Sequence, residues 1–100
     1  SPAVLFGVEP GDTEVERGAS LAFLAKFAGR MPANARLVVQ PAKGKARSLA
    51  MSPKLRDPIF SAVMPEVNQP LMYWVEFDGG KSKAFKVSVY EHPTLESADA

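Results

Sequence analysis

One hundred residues, 46% of them hydrophobic, fit one domain with one modest core, and no apolar run approaches the roughly 18 residues that a membrane-crossing helix needs. Twelve basic residues against eleven acidic ones leave a formal charge of +1, which offers no strong field to nucleic acid or anionic lipid. The chain has no cysteine, which excludes disulfides and thiolate metal sites within it and leaves its compartment open.

Ser1-Pro2-Ala3 has neither the basic segment nor the apolar core of a signal peptide. That leaves a cytosolic protein or a piece of a longer chain, and the polar ending at 94–100 favours the piece, with residues 1–93 as the domain and 94–100 as a linker or tail. Ala3-Val4-Leu5-Phe6-Gly7-Val8 is a β-prone run closed by Glu9-Pro10-Gly11-Asp12, where proline and glycine punctuate. Residues 13–17 alternate around a lone Val15, and Glu14, Glu16 and Arg17 suit a short edge segment kept in water.

Residues 20–28 fit two periods. With period two, Leu21, Phe23, Ala25 and Phe27 share one face; with the helical period, Leu21, Leu24, Ala25 and Ala28 line up. The segment is short, lies between Gly18 and Gly29 and has strand-like neighbours, so it is expected to be a central strand. After the loop 29–34, Ala35, Leu37 and Val39 mark one face of a strand, and Leu49 and Met51 alternate in the next. Residues 52–58 hold two prolines, which lack amide donors and constrain their neighbours, so no regular structure is expected there. In the strand 59–64, Phe60, Ala62 and Met64 are the expected inward set.

The stretch 71–89 organises the rest. Leu71, Tyr73, Val75 and Phe77 share one face of a strand, Asp78-Gly79-Gly80 tolerate positive φ, and the chain returns with Phe85, Val87 and Val89 inward. Such a ribbon needs a second sheet over its apolar side. Roughly seven to eight short strands, with turn signals about every eight to twelve residues, predict an all-β, two-sheet antiparallel β-sandwich.

Tyr73-Trp74-Val75 resembles the strand of immunoglobulin domains on which a tyrosine, two residues before a buried cysteine, bonds nearby backbone and forms a tyrosine corner. Tyr73 matches that tyrosine, and Val75 stands at the cysteine position. The wider pattern is Val8-x-Pro10-Gly11-Asp12, Val15-x-x-Gly18, Leu21/Phe23, Phe60, Tyr73-x-Val75, Ser82 and Phe85-x-Val87-x-Val89 running into Pro93. It resembles bacterial immunoglobulin-like (fibronectin type III-like) domains of large membrane-anchored or extracytoplasmic proteins. With no cysteine pair and no tryptophan on the 35–40 strand, antibody-type or receptor-type membership is not supported. The resemblance implies an immunoglobulin-like sandwich acting as a spacer or binding module in a periplasmic or cell-surface protein, with no enzymatic activity.

No catalytic, cofactor or metal site is expected. His92 is the only histidine, and a histidine-type metal site cannot be built from one. No serine lies in a Gly-x-Ser-x-Gly context. The carboxylates fall in turns or on outward strand positions, so they read as solvated surface rather than a glycosidase pair. The basic clusters Lys43/Lys45/Arg47 and Lys81/Lys83 have no interleaved aromatics to stack bases. Gly80-Lys81-Ser82 leads into a strand rather than a phosphate-binding helix.

The expected function is therefore a non-catalytic structural or protein-interaction module, with a carbohydrate-binding module or an accessory domain of a hydrolase as alternatives. Trp74 and Tyr90 are the only outward aromatics available to stack a sugar. Expected partners are neighbouring domains of the same chain or another protein, with weak self-association; no nucleic acid and no direct membrane insertion are expected. If Tyr73 points inward, Met72 and Trp74 point outward and join Val38 and the stem of Lys86. Tryptophan and methionine are enriched at the cores of interfaces, which makes this face a candidate contact surface. The alternative is that the 52–58 loop covers it.

Overall fold

The computed structural model describes residues 3–54 and 56–92. No helix occurs among them. The strands are β1 (Ala3–Glu9), β2 (Thr13–Glu16), β3 (Leu21–Gly29), β4 (Ala35–Pro41), β5 (Arg47–Ala50), β6 (Ser52–Pro53), β7 (Ile59–Met64), β8 (Leu71–Phe77), β9 (Gly80–Lys81) and β10 (Phe85–Tyr90). One sheet has the order β1-β3-β7-β6 and the other β2-β10-β8-β4-β5, with β9 on β8. The domain is an all-β sandwich, compatible with an immunoglobulin-like fold.

In β3 the period of two prevails. Phe23, Ala25 and Phe27 are buried while Ala22 and Ala28 are exposed, and β3 pairs with β1 on one side and β7 on the other. As a central strand it ties both neighbours into one sheet, which a helix could not do. The expected inward residues Ala35, Leu37, Val39, Met51, Phe60, Met64, Leu71, Tyr73, Val75 and Val87 all lie in the core. Aromatic rings knit the two sheets together. Phe23 meets Tyr73 edge-on with centroids 4.6 Å apart, and Phe27 meets Phe77 at 5.1 Å, the T-shaped geometry that aromatic quadrupoles favour.

Four features depart from the sequence reading. Ser52–Pro53, expected to be irregular, forms the strand β6 on β7, with Ser52 opposite Ser61 and Pro53 opposite Phe60. Proline is admissible there because β6 is an edge and no ladder bond is asked of its nitrogen. The hairpin is not one continuous ladder: β10 pairs with β8 only from Phe85↔Tyr73 to Val87↔Leu71, and β9 takes over opposite Glu76 and Phe77. Ser82 bridges the gap, its hydroxyl accepting from the Val75 N–H while its own N–H donates to the Val75 carbonyl. These two short strands, β6 and β9, raise the count from the expected eight to ten.

The other two departures concern how the chain enters the fold. β2 pairs with β10 in parallel, Val87↔Thr13 to Tyr90↔Glu16, so one pair of the sandwich is not antiparallel. The register of β1 against β3 also shifts between Leu5, which faces Phe27, and Gly7, which faces Lys26. This β-bulge inserts Phe6 and reverses the inward parity of the strand. Ala3 and Leu5 pack on the core before it, and Val8 does so after it.

Candidate interaction surface

Alternation along β8 buries Leu71, Tyr73 and Val75 and turns Met72, Trp74 and Glu76 to the outer face of the second sheet. Strand register then assembles the four residues expected there. Val38 of β4 lies directly opposite Trp74, and Lys86 of β10 lies directly opposite Met72. Met72 and Lys86 also wall a hollow of about 290 Å³ with Gln40, Pro41 and Pro70. The residues of the 52–58 loop whose pairing is described lie on the other sheet, not over this face. Ser52–Pro53 pairs in the other sheet, and the Pro58 carbonyl accepts from the Phe27 N–H at 2.8 Å.

Trp74 is half-buried by its own sheet. Its Nε1–H donates to Glu76 Oε2 at 2.9 Å, and Arg36 Nη2 donates to Glu76 Oε1 at 3.2 Å. Arg36 stands directly opposite Glu76 across the β4–β8 ladder. The indole hydrogen bond, and after it the Arg36 hydrogen bond, hold the Glu76 carboxyl below the usual carboxylate range, because both favour its charged form. An indole held by a carboxylate that is itself held presents a pre-set surface, so little side-chain entropy is lost when something docks on it. Sequence reading put Glu76 on the same outward side as Met72 and Trp74 but counted neither it nor Arg36 among the contact residues. The signal was present in the i, i+2 spacing of Trp74 and Glu76, but Arg36 enters only through strand register.

Tyr73 behaves differently from the expected corner. It is fully buried, and its hydroxyl donates to the Gly11 carbonyl at 2.8 Å, 62 residues upstream, rather than to nearby backbone. Burial, helped by the nearby Asp12 carboxylate, pushes its phenol up to about 12. Gly11 has φ +74°, a conformation only glycine adopts freely. Asp12 Oδ1 accepts from the Lys86 N–H at 2.9 Å. The Pro10-Gly11-Asp12 segment is thus the strap on which the chain crosses from the first sheet to the second.

His92 is exposed beyond the end of β10, its ring edge-on to Tyr90 and its Nε2 3.6 Å from Glu16. Among the described residues no three histidine or acidic side chains converge as metal ligands. By the register Phe85↔Tyr73, Trp74 lies across from position 84, six residues from Tyr90, or about 20 Å along the strand. These two aromatics therefore cannot stack one sugar ring.

The first sheet also exposes apolar side chains that sequence reading did not single out: Phe6 (63% exposed), Val63 (58%) and Val4 (52%). Compared with known protein families, the chain matches no family model, and it matches none of the curated proteins.

Proposed function

We propose that this domain is a non-catalytic structural or protein-interaction module of a larger protein, of the bacterial immunoglobulin-like, fibronectin type III-like kind, working in the periplasm or at the cell surface. The observation that supports this reading is the Trp74 face. A large amphipathic ring on a middle strand is held in place by Glu76 and Arg36, lies opposite Val38 and next to Met72, and is partly exposed. Aromatic and arginine side chains of this kind anchor protein interfaces. The partner is a neighbouring domain of the same chain or a second protein.

Trp74 is the only tryptophan, so its emission reports on this face alone. A blue shift on addition of the neighbouring domain or with rising concentration, lost in Trp74→Lys while the thermal transition stays close to that of the parent, is the expected result. If Trp74→Lys unfolds the monomer, the ring belongs to the core and the proposal fails. A glycan array separates the carbohydrate-binding alternative, for which saturable sugar binding dependent on Trp74 is required.

A further inference from the structure

We propose that the free edge of β1 accepts an extended segment of another polypeptide, alternately apolar and acidic, as an added strand of the first sheet. The two sheets end at β1 and β6 and at β2 and β5. Three of these edges are guarded in the ways that keep edge strands from pairing. β2 carries Glu14 and Glu16, β5 starts at Arg47, and β6 is two residues long and contains Pro53. β1 is seven residues long, and its run from Ala3 to Val8 has no charge and no proline. Among the described residues it pairs only with β3, so half of its amides and carbonyls point off the edge. Among the described residues, no backbone hydrogen bond outside the sheets reaches residues 3–9. Phe6, at the bulge, and Val4 are both exposed.

The surroundings of the edge select the occupant. A groove runs between β1 and the 77–85 segment, with half-buried Leu5, Phe77 and Phe85 in its wall, and the charged residues that line it are Lys81 and Lys83. Lys83 Nζ stands 5.4 Å above the Phe85 ring, and neither lysine takes part in an ion pair among the described residues. An added strand alternates its side chains. Apolar residues on one face cover Val4 and Phe6, and carboxylates on the other face the lysines. Main-chain bonds along the edge supply the affinity, and the alternate side chains supply the selectivity. A second copy of this chain is the poorer occupant. The only acid its own β1 offers is Glu9, which Lys26 Nζ already holds at 2.7 Å. The β1 edge belongs to the other sheet from Trp74; the far wall of the groove comes from the second sheet, where Lys81 stands opposite Glu76, whereas Trp74 does not line the groove.

The test uses a short acetylated peptide alternating valine and glutamate, with two controls: lysine in place of glutamate, and N-methylation of the alternate amides that would pair. Saturable binding is expected for the glutamate peptide, with new amide-exchange protection confined to β1 and affinity reduced about tenfold or more by Lys83→Glu or by N-methylation. Trp74→Lys should leave this binding unchanged. No binding up to about 1 mM peptide, or equal binding of the N-methylated control, overturns the proposal. Protection of β1 amides that rises with protein concentration, without peptide, overturns the assigned occupant in favour of a second copy.

Discussion

The Tyr73 hydroxyl and the Gly11 carbonyl, 62 positions apart in sequence, meet at 2.8 Å. The bond ties the middle strand of the second sheet to the strap by which the chain leaves the first. Tyr73 is thus a clasp between the sheets, with its ring against Phe23 at 4.6 Å and its hydroxyl on the crossover.

Tyr73→Phe keeps the ring and removes this bond. A loss of about 1 to 2 kcal/mol is expected by chemical denaturation, since one hydrogen bond goes and the Gly11 carbonyl loses its partner. Gly11→Ala strikes the same clasp from the other end. The added Cβ meets nothing closer than 3.9 Å, so its cost is the positive φ, about 1 to 2 kcal/mol. If both variants are as stable as the parent, the crossover carries no strain and the hydroxyl is already served by water.

Alkali should weaken the fold through the same residue. The folded phenol titrates near 12 rather than at 10 because burial disfavours its ionised form. Between those values the unfolded chain releases a proton that the folded chain keeps, so stability falls as pH rises. The limiting slope is about 1.4 kcal/mol per pH unit. Below 10 the residue contributes no pH dependence. Tyr73→Phe cannot titrate, so the gap between parent and variant should narrow from pH 10 to 12; a constant gap refutes the assignment.

Acid should release the indole. The Glu76 carboxyl, held down first by the Trp74 hydrogen bond and then by Arg36, titrates below its ordinary 4.5. Because its folded value is depressed, its contribution is present above the ordinary carboxylate range and is lost as pH falls through the folded value. Trp74 emission should therefore change with a midpoint below 4.5, ahead of any global unfolding, and Glu76→Gln should abolish that step. A step that survives Glu76→Gln would place its cause elsewhere.

Phe23→Ala tests the assignment of β3. Phe23 has no exposed surface and touches the clasp, so a loss of about 3 to 5 kcal/mol is expected, a large part of what a domain this size possesses. Ala22, one residue earlier on the outward face, should accept serine within about 0.5 kcal/mol. Equal effects at the two positions would contradict the strand parity.

What the sequence determined by itself was the side each residue takes. In β3, β4, β7, β8 and β10, a period-two alternation of apolar side chains names the buried face wherever one face meets a core, because neighbouring Cβ atoms must point to opposite sides. That logic placed Phe23, Leu37, Phe60, Tyr73 and Val87 inward, and from it followed the outward positions of Met72 and Trp74. The tertiary structure decided everything that depends on which strand lies beside which. The parallel pairing of β2 on β10, the Gly11 partner of Tyr73 and the arrival of Arg36 at Glu76 join residues far apart in the chain, and no local pattern records them. The bulge at Phe6 and the admission of Pro53 to an edge strand are set by the neighbouring strand's register and by its absence, respectively. Periodicity is written into each segment by the geometry of its own backbone, whereas partners are chosen by the packing of two whole sheets.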